Sequence, residues 1–282
     1  MVMQVDNNEK IIKVFNNNII LVNSNETEKI LFAKGIGFGR KSGQMIEKGT
    51  NIDKVFIIEN EENRINLRNM VEQIDNQFFC ICEEAIYGIS KRVDKELNEN
   101  VHVGLIDHLY FTVKRIKENQ PINNPFLVEI QTLYKDEFRL AELVVNKIEK
   151  NYNIALPKDE VAFIALHIHS ALTDQDTSNT LKNSYLVNKI IKLLEKKFDV
   201  KIDTESIDYA RFIAHLKFTI KRINDNKPSN NLIKDLIKQM YKVSYEIAIE
   251  ISKLIEEELD LAVNEDETAF LAIHIERLRI PI

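Results

Sequence analysis

The sequence predicts a multidomain protein in which a small antiparallel β-sheet domain precedes two homologous all-α helical-bundle domains. Three observations predict this class. The chain has 282 residues, enough for two or three domains at roughly 100 to 150 residues each. Near residue 60 the period of the apolar residues changes from two to 3.6. Beyond that point the sequence repeats itself, which indicates two copies of one helical domain.

Composition narrows the class of protein further. Hydrophobic residues make up 44% and charged residues 29%, with 7 Gly and 5 Pro, which excludes collagen-like and wholly disordered chains. The longest apolar runs, such as 161–168, fall well short of the roughly 20 residues of a membrane span, and no signal sequence follows Met1. We therefore expect a cytoplasmic protein without membrane insertion. Cys80 and Cys82 would point about 200° apart on a helix, so we interpret them as buried thiols.

The first 60 residues have the residue pattern of several short strands joined by turns. Short runs rich in Ile, Val and Phe predict strands at 10–15, 19–22, 29–33 and 55–58. Eight Lys/Arg stand against seven Asp/Glu here, whereas the whole chain carries a net charge of -6, so a nucleic-acid-binding module fits this segment. About 60 residues bury too small a core alone, and we expect the sheet to dimerise and to cover its apolar face in the dimer.

The remainder reads as helical. Apolar residues at helical spacing predict one long amphipathic helix from Arg64 to Ile89. Polar stretches at 60–63 and 173–180 are interpreted as linkers. These divide the chain into a sheet domain at 1–60 and helical domains at 64–173 and 180–282.

The internal repeat is the most informative feature of the sequence. At a constant offset of 107, residues 106–168 match residues 213–275 in about 26 of about 63 positions without a gap. Four of the six histidines fall in register: His108 with His215, and His167 with His274. His102 and His169 have no histidine counterpart. The repeat therefore predicts that the two helical domains superpose and that each brings its two in-register histidines together.

Paired histidines admit three chemical interpretations. A neutral imidazole can accept a phosphoryl group, and the roughly two added negative charges can reorder an interface. It can ligate a metal, although His167 and His169 diverge on a helix and the second copy lacks the latter. It can also be a hydrogen-bonded core residue. Basic pairs at 114–115 and 221–222 either neutralise a phosphate or form solvated helix faces.

A glycine-rich stretch at 35–43 contains four of the seven glycines. It lacks the Gly-Lys-Ser/Thr that would begin a helix in a nucleotide-phosphate loop. An aromatic side chain beside cations suits unpaired RNA better, because the ring stacks on a base while the cations meet phosphate. The asparagines at 16–18 either bond base edges or form a tight hairpin turn.

Three motifs in this order, at 13–19, 34–43 and 54–56, resemble the RNA-binding module of BglG/LicT/SacY-type transcriptional antiterminators. The duplicated helical domains resemble the two phosphotransferase-regulated domains that follow that module in the family. The resemblance extends from about residue 10 to the end of the chain. It implies RNA contacts by a set of residues in the hairpin turn and the glycine-rich loop: Asn16, Asn18, Lys34, Gly35, Gly37, Phe38 and Arg40.

The resemblance implies a regulator and not an enzyme, without cofactor or metal. Such a protein binds as a homodimer to a hairpin in a nascent mRNA leader and prevents terminator formation in a sugar-utilisation operon. It further implies inhibitory phosphorylation of His108 and His167 by the sugar-specific enzyme II of the phosphotransferase system. Activating phosphorylation of His215 and His274 by the phosphocarrier HPr is implied in the same way.

Two other functions remain open from the residues alone. A DNA-binding activator can carry the same regulatory domains, but it would need a helix-turn-helix, for which the strand-rich first 60 residues offer no candidate. A histidine-dependent phosphotransfer enzyme would need metal carboxylates or a nucleotide loop.

Overall fold

The computed structural model describes residues 3–24, 27–173, 177–227 and 229–279. Within these residues, seven strands precede the first helix. They are β1 (Met3–Gln4), β2 (Glu9–Asn16), β3 (Ile19–Ser24), β4 (Thr27–Phe32), β5 (Met45–Ile46), β6 (Asn51–Ile52) and β7 (Lys54–Ile58). The four predicted strands are confirmed as β2, β3, β4 and β7. The two-residue strands were not predicted, because so short a segment has no recognisable alternation.

Eleven α-helices and one π-helical turn follow in the described part of the chain. The first half contains α1 (Glu61–Gln73), α2 (Asn76–Ser90), the π-turn (Val101–Leu105), α3 (Ile106–Lys117), α4 (Leu127–Leu133), α5 (Lys135–Tyr152) and α6 (Lys158–Thr173). The second half contains α7 (Thr177–Phe198), α8 (Ile207–Asn224), α9 (Lys234–Met240), α10 (Lys242–Leu259) and α11 (Glu265–Arg279). The predicted fold class, a small antiparallel sheet followed by helical domains, is confirmed.

The main sheet is antiparallel with strand order β5–β2–β3–β4–β7, and β1 pairs with β6 separately. Alternate side chains of its strands point to opposite faces. One side, here called the loop-covered face, packs under residues outside the main sheet, including Val5 and Ile36. The loop segments are tied to the strands by backbone bonds such as that from the Gly43 N–H to the Ile11 carbonyl, at 2.8 Å.

The opposite side, here called the helix-covered face, is covered by α1 and α2. The ring of Phe15 stacks on Phe79 of α2 at a centroid distance of 4.3 Å, and Phe32 stacks on Tyr87 at 4.9 Å. Nine of the fifteen α2 residues are buried, as expected of a helix that is packed on more than one side. The sequence predicts that the sheet covers its apolar face by dimerising; within the single chain, α1 and α2 cover this face.

The predicted linker at 60–63 is wrong, because these residues begin α1. Asn60 is the N-cap, and its side-chain oxygen accepts a bond of 3.1 Å from the Asn63 N–H. Glu61 and Glu62 occupy the first turn, where the helix dipole favours acidic residues. A polar first turn and a polar linker have the same composition, so the sequence did not separate them.

The single long helix predicted from Arg64 to Ile89 is also wrong. The chain forms α1 and α2 with a break at Ile74 and Asp75, and the Asp75 carboxylate caps α2 by accepting a bond of 3.0 Å from the Phe78 N–H. The apolar spacing continues through the break, because both helices turn an apolar side toward the same core.

The chain forms two compact units. One contains residues 1–124 and 136–177, and the other contains 125–135 and 178–282. The polar stretch at 173–180 lies partly outside the described residues, but α6 ends at Thr173 and α7 already begins at Thr177. The short helix α4 belongs to the second unit, where it packs against α8.

The helices of the repeat correspond in pairs at the offset of 107. The helices α4, α5 and α6 match α9, α10 and α11 closely in length. The exception precedes α3, where the first copy has the π-turn and the second has a continuous α8. Among the described helices none has the length and apolar character that a bilayer crossing requires.

Candidate functional site

In the first unit, the packing of α3 against α6 brings two histidines together. The rings of His108 and His167 lie 5.1 Å apart between centroids, although the residues are 59 positions apart in the sequence. Both side chains are half-buried. The predicted pairing is therefore confirmed in this copy.

The second unit repeats the arrangement with α8 and α11. The rings of His215 and His274 are stacked at 4.4 Å between centroids, and both are half-buried. A phenylalanine accompanies each pair, Phe163 in the first copy and Phe270 in the second. The pairing is confirmed in this copy as well.

A buried carboxylate anchors the first histidine pair. Glu160 accepts bonds of 3.0 Å from both the Thr112 hydroxyl and the Arg115 guanidinium, and its Oε2 lies 3.2 Å from His108 Nε2. Burial opposes ionisation of Glu160, but the bonds from His108, Arg115 and Thr112 together lower its pKa. The carboxylate favours the tautomer with a proton on His108 Nε2, which leaves the lone pair on Nδ1.

The second copy repeats the threonine, arginine and glutamate of this network but not the contact between histidine and glutamate. Glu267 accepts bonds from Thr219 at 3.0 Å, from Arg222 at 2.6 Å and from the Ser229 hydroxyl at 2.6 Å. Burial again opposes ionisation, but the bonds from Arg222 and Ser229 lower the pKa of Glu267 to about 2. The Nε2 atom of His215 is buried without a hydrogen-bond partner among the described residues.

The surroundings keep one imidazole of each pair neutral, namely His167 in the first copy and His215 in the second. Burial and the neighbouring His108 lower the pKa of His167 to about 3. Burial and the neighbouring His274 lower the pKa of His215 to about 4. A neutral imidazole keeps the nitrogen lone pair that attacks phosphorus, so both rings are competent nucleophiles at neutral pH.

The two pairs differ in nearby charge. Burial and the charges of Arg277 and Arg211 lower the pKa of His274, against the opposing charge of Asp208, which pairs with Arg211 at 3.4 Å. At the positions that match the two arginines, the first copy has Ser170 and Gly104. A Cβ atom at Gly104 would stand 3.5 Å from His167 Nδ1. The first histidine pair therefore lies beside Gly104 of the π-turn, which has no side chain, whereas arginines lie near the second pair.

The glycine-rich loop stands beside the hairpin turn that joins β2 and β3. The Asn16 side-chain oxygen accepts a bond of 2.8 Å from the Asn18 N–H, and the Asn18 side-chain oxygen accepts one of 3.0 Å from the Gly35 N–H. Both asparagines therefore brace the loop, which supports the turn interpretation for their oxygens. The Asn16 side chain also hydrogen-bonds the thiol of Cys80 on α2.

The predicted RNA-contacting residues divide into two groups. Asn18, Lys34 and Gly35 are exposed, and Phe38 projects into solvent with 74% of its surface exposed. Asn16 and Arg40 are half-buried, and Gly37 is buried. An exposed aromatic ring beside cations can stack on an unpaired base while the cations meet phosphate.

Two known protein families match this chain, one at the sheet domain and the other at each of the two helical domains. The CAT RNA binding domain matches residues 10–64, and the PRD domain matches residues 83–171 and 188–278. The chain belongs to the BglG-type antiterminators.

Similar proteins support this assignment along nearly the whole chain. Protein GlcT of Staphylococcus saprophyticus is 34% identical over 267 residues, which span 94% of this chain and 95% of that protein. The glcA/glcB genes antiterminator of Staphylococcus carnosus is 34% identical over 271 residues, 93% of each chain. The crystal structure of GlcT CAT-PRDI has 37% identity and a TM-score of 0.50, covering 59% of this chain and 99% of that chain. The relative from Staphylococcus carnosus is named as an antiterminator, and this chain is a regulator and not an enzyme.

Two histidines of this antiterminator lie outside the pairs. His102 on the π-turn is fully buried, with Nδ1 2.9 Å from Glu83. The Nδ1 of His169 lies 2.8 Å from Glu137. Each ring thus has a carboxylate partner of its own, and no cluster fit for a metal ion occurs among the described residues. The placement fits structural roles for both.

Sequence reasoning missed the threonine and glutamate of each network. Thr112 and Glu160 are identical to Thr219 and Glu267 at the repeat offset, and that identity was a usable signal. The sequence offers two roles for the arginines of the two basic pairs, neutralising a phosphate or forming a solvated helix face. They instead bond the buried glutamate beside each histidine pair.

A glycine in the CAT domain gives a test of the loop geometry. A Cβ atom at Gly37 would stand 2.2 Å from the Asn16 carbonyl oxygen, so the backbone must shift. We expect Gly37→Ala to lower the free energy of unfolding by about 1–3 kcal/mol, measured by urea denaturation. The matched control is Gly88→Ala in α2, where the added atom would meet only the end of Arg92, at 3.7 Å. Equal stability of Gly37→Ala and the native protein would contradict the contact.

Proposed function

We propose that this antiterminator acts in the cytoplasm as a homodimer on a hairpin in a nascent mRNA leader. Binding prevents formation of an overlapping terminator in a sugar-utilisation operon. One observation carries the proposal. The same chain contains an RNA-binding domain with an exposed Phe38 in its loop and two domains that each hold a pair of histidines. The relative named as the glcA/glcB genes antiterminator supports an operon target of this class.

The four paired histidines are the proposed phosphorylation sites. In the first PRD domain, His108 and His167 receive inhibitory phosphate from the sugar-specific enzyme II. In the second, His215 and His274 receive activating phosphate from HPr. Local charge supports opposite signs, because Arg211 and Arg277 can neutralise a phosphate on the second pair.

RNA contacts are proposed for the turn and loop of the CAT domain. Phe38 stacks on an unpaired base, while Lys34 and Arg40 meet phosphate and Asn16 and Asn18 present amide groups to base edges. Gly35 and Gly37 permit close approach of the backbones. A helix-turn-helix is not among the described elements of the first 60 residues, which disfavours the DNA-binding alternative.

Phe38→Ala tests the RNA contact in the full chain. Loss of one stacked base should weaken binding to a leader hairpin by about 1–3 kcal/mol, roughly 5- to 150-fold in Kd. Fluorescence anisotropy with the hairpin, and with duplex DNA of the same sequence, measures the change. Phe218→Ala, another exposed phenylalanine on α8, is the control and should bind as the native protein does. Equal affinity of Phe38→Ala and the control would refute stacking by this ring.

A further inference from the structure

The helix-covered face of the sheet is strongly apolar. Its buried side chains come from β2, β3, β4 and β7 and comprise Phe15, Ile19, Leu21, Ile30, Phe32, Phe56 and Ile58. Without α1 and α2, these side chains would form one contiguous apolar patch in water. Such a patch on a small sheet must be covered by another apolar surface.

The layers on the two sides of the sheet are held differently. Backbone bonds join the loop layer to the strands, for example from Ile11 N–H to the Gln44 carbonyl and from Gly43 N–H to the Ile11 carbonyl, both at 2.8 Å. The helix layer is held through side chains, by the stacked rings and a bond of 2.5 Å from Lys13 Nζ to the Val71 carbonyl. The helix layer can therefore separate without breaking the sheet's own hydrogen bonds.

The helix-covered face also carries charges of both signs, namely Glu28 on β4, Lys13 on β2 and Lys54 on β7, whose Nζ lies 5.2 Å from the Phe56 ring. Glu28 is fully buried and pairs with Arg68 of α1. Lys13 is the cation that bonds Val71. In a two-fold symmetric dimer of two such faces, every contact between a residue of one copy and a residue of the other occurs twice, with the roles of the copies exchanged. Lys13 of each copy can then neutralise Glu28 of the other, so the face is self-complementary in charge as well as apolar.

We propose that α1 and α2 compete with a second copy of the chain for the helix-covered face, so that the RNA-binding dimer forms only when this helix pair leaves the sheet. Two sheets packed face to face lie about 10 Å apart, which leaves no room for a layer of helices between them. This inference rests on the proposed dimeric RNA-binding function and names how that dimer is held back.

Docking of the helices also reaches the RNA-contacting residues. Asn16 is held by Cys80 of α2. Asn18 and Lys34 line a pocket of about 350 Å³ together with Tyr87, Glu84 and Lys147 of the helical domain, and an ion pair of 2.7 Å joins the last two. Docking of the helices therefore places side chains directly beside residues that are proposed to contact RNA.

Arg68→Glu in the full chain tests the competition. Arg68 is 53% exposed, so the substitution leaves the fold intact but sets a carboxylate against buried Glu28 in the docked form alone. We expect the association constant of the dimer, measured by sedimentation equilibrium without RNA, to rise about five- to thirtyfold. Arg139→Glu, on the surface of α5, reverses the same charge elsewhere and should leave the constant unchanged.

Two further measurements complete the test. The charge exchange Glu28→Lys with Arg68→Glu restores docking and opposes Lys13 across the dimer, so it should return the protein to the native association constant or below. Amide hydrogen exchange should show α1 less protected in the dimer than in the monomer. An unchanged constant in folded Arg68→Glu, or equal protection of α1 in both states, would overturn the competition. A dimer that forms as expected but binds no leader RNA would count against the proposed function and not against this inference.

Discussion

Replacing His215 and His274 together by alanine is expected to remove all phosphoryl label from the second PRD domain. The label would come from HPr charged by the phosphotransferase system, and mass spectrometry would locate it. The reason is chemical: these rings are neutral at pH 7, half-buried and paired, and Nε2 of His215 has no partner among the described residues. With the sugar-specific enzyme II also present as a donor, replacing His108 and His167 as well should remove the label from the whole chain.

His169→Gln is the matched control for the label. His169 already bonds Glu137, and a phosphoryl group there would place about two negative charges beside a carboxylate. The label should therefore persist in this variant at the native level. Label found mainly on His169 or His102 in the native chain would show that the acceptors are assigned wrongly.

Glu267→Gln should lower the free energy of unfolding of the second domain by about 3 kcal/mol at pH 7. Glu267 is 1% exposed, and its ionised form holds Arg222, Thr219 and Ser229. Its folded-state pKa of about 2 lies below its ordinary value. The stabilisation is therefore present above about pH 4.5 and is lost as the pH falls toward 2.

The difference between native protein and variant should accordingly shrink over the same pH range. Hydrogen exchange of α8 and α11 amides during urea titration reports this domain separately from the rest of the chain. Glu250→Gln removes a carboxylate that pairs with Lys197 on the surface, and stability should stay nearly unchanged. A Glu267→Gln effect that is equal at pH 7 and pH 2.5 would rule out the ionised network as its source.

The repeat made the histidine pairs predictable. Residues in register at an offset of 107 had to occupy equivalent places, and so both pairs met as expected. The glutamates were harder to foresee, because Glu160 and Thr112 are 48 positions apart and only packing of α3 against α6 joins them. Local composition alone does not report a contact of that range.

The sequence predicted less well which surface covers the sheet. Alternation in β2, β3 and β4 predicted an apolar face, but not which surface covers it. A second sheet and the apolar side of α2 satisfy the same requirement. The break at Asp75 was hidden for a related reason, since two helices that share a core keep one apolar spacing across the junction.

The unlike neighbours of the two histidine pairs bear on how each domain registers phosphate. Beside His274, Arg211 and Arg277 offer an ionic clamp that a phosphoryl group would draw inward. Beside His167, Gly104 provides space but no positive charge, so a phosphoryl group there would push the π-turn away from α6. Gly104 lies two residues from His102, whose ring contacts Phe56 of the sheet at 4.4 Å. A displacement of the π-turn would therefore reach the RNA-binding domain directly through His102 and Phe56. The arginines beside His274, by contrast, act within the helices of their own domain.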